Sequence, residues 1–206
     1  MTAEDRIPIL QQTQETKSIK LILCGDYGSG KTSLIERHVN KTFTEGNQSP
    51  KEMTKVRMNI KIKNSIETLM IWDTNGEEKY KSLQLNHFRN ANCAIIVFDV
   101  SNESSFESIE YWYKMIRLYS PNIPILVAGN KIDKRIFIPF EEASKFCLTN
   151  DCDLIYCSAK TGVNVNKVFR HVVHSYFNVS DDQKGDNEDK SFVLSQSQCC
   201  KCCVLL

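Results

Sequence analysis

The chain of 206 residues has no surplus of either charge: 26 Lys and Arg stand against 25 Asp and Glu, a formal net charge of +1. A nucleic-acid binder ordinarily carries a basic excess, so the balance gives no general reason to expect one. No apolar run approaches the ~18–20 residues that cross a bilayer. The first stretch, Met1 to Lys20, is polar and lacks the apolar core of a secretory signal. There is no internal repeat, and eight glycines are too few for a collagen-like chain. Hydrophobic residues at 41% and charged residues at 25% are close to the globular average, which excludes wholesale disorder. One ordinary domain is expected, with some residues to spare.

Cysteine is the residue present in unusual measure, nine in all. Cys24, Cys93, Cys147, Cys152 and Cys157 are scattered through the body, whereas Cys199, Cys200, Cys202 and Cys203 crowd the end. A disulfide scaffold is short and Cys-dense throughout, so the body cysteines read as reduced thiols. The terminal cluster needs a separate explanation.

Short apolar runs alternate with helical patterns. Ile19–Cys24 ends in Gly25 and is followed by a helical stretch from about Lys31 to Asn40. Val56, Met58, Ile60 and Ile62 alternate with polar residues, a period-two strand, and Asn64-Ser65 turns into a second strand, Ile66–Trp72. Further strands are expected at Ala94–Val100, Ile123–Gly129 and Leu154–Cys157, with helices at Ser104–Tyr119, Phe140–Thr149 and Val163–Phe177. The alternation argues for an α/β fold with a mostly parallel sheet covered on both faces. Past Asn178 the hydrophobic pattern stops, and Asp181–Leu206 holds five acids and three lysines. The expected organisation is an N-terminal extension over residues 1–17, a folded domain over 18–178 and a flexible tail over 179–206.

Four motifs carry chemistry, each just past a strand. Gly25-Asp26-Tyr27-Gly28-Ser29-Gly30-Lys31-Thr32 fits G-x-x-x-x-G-K-[ST] between a strand and a helix. Its glycines let backbone N–H groups from Asp26 to Ser33 wrap a phosphate chain at a helix N-terminus. Lys31 supplies charge to the outer phosphates, and the Thr32 hydroxyl can join a magnesium shell. In Asp73-Thr74-Asn75-Gly76-Glu77-Glu78 the Asp73 carboxylate can hold magnesium through water, and Gly76 offers an N–H to the terminal phosphate. In Asn130-Lys131-Ile132-Asp133 the Asp133 carboxylate can accept from guanine's ring N–H and exocyclic amine, neither of which adenine presents there. Asn130 can brace the loops and the Lys131 stem can lie against the base. Ser158-Ala159-Lys160, after the last strand, can offer a backbone N–H to the guanine carbonyl.

From about Ser18 to Asn178, and again at the extreme C-terminus, these residues resemble the Ras superfamily of small GTPases, and within it the Rab branch. The Rab character lies in Glu78-Lys79-Tyr80-Lys81-Ser82-Leu83, Phe98-Asp99-Val100, and Ser105-Phe106 followed by Trp112. The resemblance implies a P-loop NTPase three-layer fold with a six-stranded, mostly parallel sheet and about five helices, and Phe43 stacked on guanine. It also implies GTP and GDP as ligands with Mg2+ on Thr32 and Asp73, and hydrolysis supported by Lys31, Gly76 and Glu77. The implied partners are an exchange factor, a GTPase-activating protein, an escort or dissociation inhibitor for prenylated forms, and effectors. The implied setting is a monomer on the cytoplasmic face of an intracellular membrane, cycling with the cytosol and regulating vesicle traffic.

Three positions depart from the family pattern. Pro50 falls where the family has a switch threonine, and proline supplies neither hydroxyl nor N–H. Tyr27 replaces a small residue; its phenol either crowds the site of an activating arginine or swings to solvent. Glu77 stands in place of a water-orienting glutamine and can accept from water but not donate as an amide does. Slow or altered hydrolysis is the expectation, and a pseudo-GTPase scaffold is the rival reading. An ATP-dependent P-loop kinase conflicts with Asn130–Asp133.

The terminal Cys203-Val204-Leu205-Leu206 is a C-a-a-X box whose Leu favours a geranylgeranyl group on Cys203. One chain anchors reversibly, so Cys199, Cys200 and Cys202 are candidates for a second lipid. The acidic tail offers no polybasic substitute. His171 and His174 have a spacing that can hold a metal, but no third ligand accompanies them, and an ordinary helix face is expected.

Overall fold

A computed structural model describes residues 18–46, 54–63, 65–74, 87–179 and 193–194. Its order is β1 (Ile19–Cys24), α1 (Lys31–Asn40), β2 (Thr54–Ile62), β3 (Ser65–Asp73), β4 (Cys93–Asp99), α2 (Glu103–Glu107), α3 (Ile109–Tyr119), β5 (Ile125–Asn130), α4 (Phe140–Thr149), β6 (Asp153–Tyr156), α5 (Val165–Tyr176) and β7 (Val193–Leu194). The sheet runs β2-β3-β1-β4-β5-β6-β7. β3, β1, β4, β5 and β6 are mutually parallel, while β2 pairs antiparallel with β3.

Strand burial follows strand position. β4 and β5 are buried along their whole length, as continuous apolar runs require when helices cover both faces. β2, at the edge, keeps its alternation, with Thr54, Lys55, Arg57, Asn59 and Lys61 exposed. One core lies between the sheet and α1 and α5, where Leu34, Ile35, Val168, Phe169, Val172 and Val173 are buried. The other packs α3 and α4 on the opposite face through Ile109, Trp112, Ile116, Ala143 and Cys147. Burying each large apolar side chain is worth about 1.5–3 kcal/mol, so both layers are held chiefly by these stripes.

The six strands expected from the sequence are present, and the differences have local causes. β5 starts at Ile125 because Pro124, which has no N–H, contributes only a carbonyl that accepts from Ala94 at 3.1 Å. The single helix expected at Ser104–Tyr119 starts one residue earlier and divides at Ser108 into α2 and α3. Its cap is Asn102, whose side chain accepts from the Ser104 N–H at 3.1 Å. α5 starts at Val165, two residues later than expected, because Asn164 has a left-handed backbone (φ 59°). A seventh strand, β7, lies in the segment expected to be featureless and pairs antiparallel with β6 through Leu154–Leu194 and Ile155–Val193. Asn64, at the expected turn, lies outside the described residues.

None of the five body cysteines forms a disulfide, and burial pushes the Cys93 and Cys157 thiols well above their usual range. His171 Nε2 lies 3.0 Å from Asp153 Oδ2 on β6. Among the described residues no cluster of His, Cys, Asp and Glu could hold a metal ion on its own, and no helix is long and apolar enough to cross a membrane. Cys199, Cys200, Cys202 and Cys203 lie outside the described residues.

Candidate nucleotide-binding site

The parallel strands end on one side of the sheet, and their last residues fall into register there: Asp73 opposite Leu23, Asn130 opposite Asp99, and Tyr156 opposite Gly129. The loops that follow surround a cavity of about 310 Å³. Gly28, Gly30, Lys31, Thr32 and Ser33 form its phosphate-loop wall. Asn130, Lys131, Asp133, Ala159 and Lys160 form the facing wall, and Phe43 closes a side.

The phosphate loop is built for close approach. Gly25 has φ +137°, and a Cβ there would sit 2.0 Å from the Val97 carbonyl oxygen. Gly30, at φ +96°, precedes α1 with no side-chain cap, and the first turn of α1 holds no acid. The N-terminal N–H groups of α1 are thus left for an anion, with the helix dipole in favour. Lys31 is 2% exposed, and its ammonium donates to the carbonyls of Gly25 (2.8 Å) and Asp26 (3.0 Å). It is held over the loop as a buried positive charge facing the cavity.

Thr32 Oγ1 donates to Asp73 Oδ2 at 2.7 Å, bringing together the two groups expected at magnesium. Hydroxyl and carboxylate oxygens at one point are the hard donors such a cation takes, so this pair fits it.

Asn130 ties the walls together. Its Nδ2 donates to the Ser29 carbonyl at 2.9 Å, and its Oδ1 accepts from the Ala159 N–H at 3.1 Å. Lys131 Nζ donates to the Gly28 carbonyl at 2.6 Å and pairs with Asp99 Oδ2 at 2.7 Å, so its stem crosses the cavity. Asp133 Oδ1 accepts from the Ser158 hydroxyl, which in turn accepts from the Thr161 N–H at 3.1 Å. Ser158 is fully buried, so it orients the carboxylate and does not line the cavity.

The Asp26 side chain points away from the phosphate site: Oδ1 accepts from Trp112 Nε1 at 2.9 Å and Oδ2 from Ser108 Oγ at 2.6 Å. Only its backbone belongs to the loop. Tyr27 is 60% exposed, which selects the outward of its two placements. Ser29 is buried and its hydroxyl has no partner among the described residues. Pro50, Gly76 and Glu77 lie outside the described residues.

Sequence reasoning missed Arg37 and the role of Asp99. Arg37, on α1, donates Nε to the Ala159 carbonyl (2.8 Å), Nη2 to Lys160 (2.6 Å) and Nη1 to Lys41 (3.0 Å). One planar guanidinium thereby fixes the loop expected at the base. Nothing in a motif predicts carbonyl partners so far away in sequence.

Asp99 is 7% exposed. Burial pushes its carboxyl up, but hydrogen bonds from Lys131 and Ser101 outweigh this and hold it below the usual carboxylate range. A depressed folded value means the pair stabilises above the unfolded pKa and is lost as pH falls through the folded one. The difference in unfolding free energy between wild type and Asp99→Asn is therefore expected to stay constant from roughly pH 8 to 5 and to shrink below about pH 4. Denaturant titrations across that range measure it; a difference that grew with acid would contradict the assignment.

The Ras family model matches residues 20–178. Among curated proteins, the chain is 32% identical over 183 residues to "Ypt/Rab-type GTPase Rab7" of Gibberella zeae, covering 83% of this chain and 89% of that one. It is 34% identical to "Ras-related protein Rab-32D" of Dictyostelium discoideum, covering 84% and 79% respectively. "Ras-related protein Rab-5B" of Plasmodium falciparum is 36% identical over 161 residues, 77% of each chain. The phosphate loop, the Thr32–Asp73 pair and the Asn130–Asp133 loop thus sit within a matched span on a mostly parallel sheet, and the chain belongs to the Ras family, as a Rab-like small GTPase.

Proposed function

We infer that the protein is a guanine-nucleotide switch that hydrolyses GTP to GDP and phosphate and regulates intracellular vesicle traffic. The observation that carries this reading is that buried Lys31 and the Asp133 carboxylate line one cavity. The first supplies positive charge for a polyphosphate, the second an acceptor for guanine's two adjacent donors. Phe43 and the Lys131 stem offer faces for the ring between them, and Ala159 offers its loop to the guanine carbonyl.

In the proposed reaction water attacks the γ-phosphorus and the bond to the β-γ bridging oxygen breaks. Lys31 and the N-terminal N–H groups of α1 hold the phosphate oxygens as charge shifts towards that bridge. Thr32 and Asp73 would hold Mg2+, which neutralises β- and γ-oxygens when bound. Gly76 would donate its N–H to the terminal phosphate, and Glu77 would accept from the attacking water.

A single-turnover assay of GTP-loaded protein tests the reading. Wild type is expected to release phosphate, and Glu77→Gln to accelerate release by about tenfold, because an amide both accepts from water and donates to the transferred group. No release from wild type while GTP stays bound would favour a non-hydrolysing scaffold.

Membrane attachment is proposed through prenylation at Cys203, with Cys199, Cys200 and Cys202 as sites for a second lipid. Attachment would place the protein on the cytoplasmic face of an intracellular membrane, cycling with the cytosol as a monomer. Exchange factor, GTPase-activating protein, dissociation inhibitor and effectors are the partners such a cycle needs. Mass spectrometry of the native C-terminus tests the anchor, and an unmodified Cys203 would remove it.

A further inference from the structure

We propose that Trp112 and Ser108 are positioning residues for nucleotide retention: their two donors grip the Asp26 carboxylate and keep the phosphate loop in its binding conformation. The inference rests on the reading of this loop as the phosphate site.

Gly28 would meet nothing within 4 Å of a Cβ, and Tyr27 is 60% exposed, so the middle of the loop has little side-chain packing to hold it. Its shape must be set at its two ends. At the far end, Asn130 holds the Ser29 carbonyl and Lys131 holds the Gly28 carbonyl. At the near end the corresponding tie is Asp26. Its backbone carbonyl accepts from Lys31 Nζ (3.0 Å) and the Ser29 N–H (3.2 Å), while its two carboxylate oxygens are taken separately by Trp112 Nε1 and Ser108 Oγ.

The receptor for this carboxylate is rigid. Ser108 and Trp112 are four residues apart, and Trp112 N–H donates to the Ser108 carbonyl at 3.2 Å, so one helical turn presents both donors on the same side. Trp112 is fully buried, with its ring 6.5 Å from Phe88 and 5.3 Å from Tyr111, centroid to centroid. Moving Asp26 would move the carbonyl that Lys31 bonds, and with it the lysine that faces the phosphates. The indole N–H and the hydroxyl therefore act on the nucleotide through Asp26, without touching it.

The test uses the full chain loaded with a fluorescent GDP analogue and chased with excess GDP. Failure of wild type to bind the analogue would overturn the nucleotide-switch reading and the clamp with it. Given binding, Trp112→Phe, which keeps a ring and loses the donor, is expected to speed dissociation about tenfold, the scale of one hydrogen bond to a charged group. Ser108→Ala is expected to act likewise, and Ser108→Thr, which keeps the hydroxyl, to restore the slow rate. In an Asp26→Ala background the loss of either donor should change the rate less than about twofold. A merely structural role for Trp112 would instead give equal effects in both backgrounds, which would overturn the clamp. So would unchanged dissociation in Trp112→Phe and Ser108→Ala. Should Trp112→Phe not fold, the Ser108→Ala and Ser108→Thr pair decides by the same criteria.

Discussion

Asn130→Ala is expected to abolish measurable GDP binding and to lower the stability of the folded domain by about 2–4 kcal/mol. The side chain is 1% exposed and joins three segments distant in sequence: the phosphate loop through the Ser29 carbonyl, its own strand β5, and the loop after β6 through the Ala159 N–H. Truncation leaves both backbone groups buried without a partner, each at about 1–3 kcal/mol. It also leaves room beside Gly30, where a Cβ would approach Asn130 Nδ2 to 2.3 Å, so the phosphate loop can sag towards the base loop. Asn130→Asp should not rescue binding, because a carboxylate has no donor for the Ser29 carbonyl. Calorimetric titration with GDP and equilibrium unfolding in denaturant measure the two effects separately. Binding within tenfold of wild type would show that the walls hold together without the amide.

Which parts of this site were legible in the sequence follows from the range of the interactions involved. The loops were legible because each is a local grammar: a glycine run between strand and helix, an Asp at a strand end, an Asn-Lys-x-Asp past a buried strand. The bracing role of Asn130 followed from its chemistry and lies where expected. Arg37 was not legible, since an arginine at the end of one α1 turn could equally face solvent, and only the folded position of Ala159 and Lys160 gives it partners. The side-chain partners of Asp26 were not legible for the same reason. Its place in the motif pointed to a backbone contact with phosphate, and its side chain is claimed by Trp112 and Ser108 on α3 and its entry turn.

The fold shows the same division. Periodicity located the six strands and the helical stretches, and the misses fall at their ends. There, a single proline carbonyl, an asparagine cap or a left-handed residue sets the boundary. β7 had no signal, since two residues are too short for a period, and its pairing depends on the position of the β6 edge.

Asp133→Asn is expected to lower affinity for GDP about a hundredfold or more and to create preference for xanthosine diphosphate. The wild-type carboxylate has only acceptors, which suit the ring N–H and the exocyclic amine of guanine. The Ser158 hydroxyl, which donates to Asp133 Oδ1, decides how an asparagine would sit. It needs an acceptor, so the amide oxygen would stay with Ser158 and the NH2 would turn to the base. That NH2 opposes the exocyclic amine of guanine, donor against donor, and two charge-assisted bonds are lost together. Xanthine carries a carbonyl where guanine carries that amine, so the same NH2 finds an acceptor there. Competition between the two diphosphates, for wild type and variant, reads the exchange directly, while the phosphate wall built on Lys31 serves both ligands equally. A variant that kept its preference for guanine would place the base somewhere other than against Asp133.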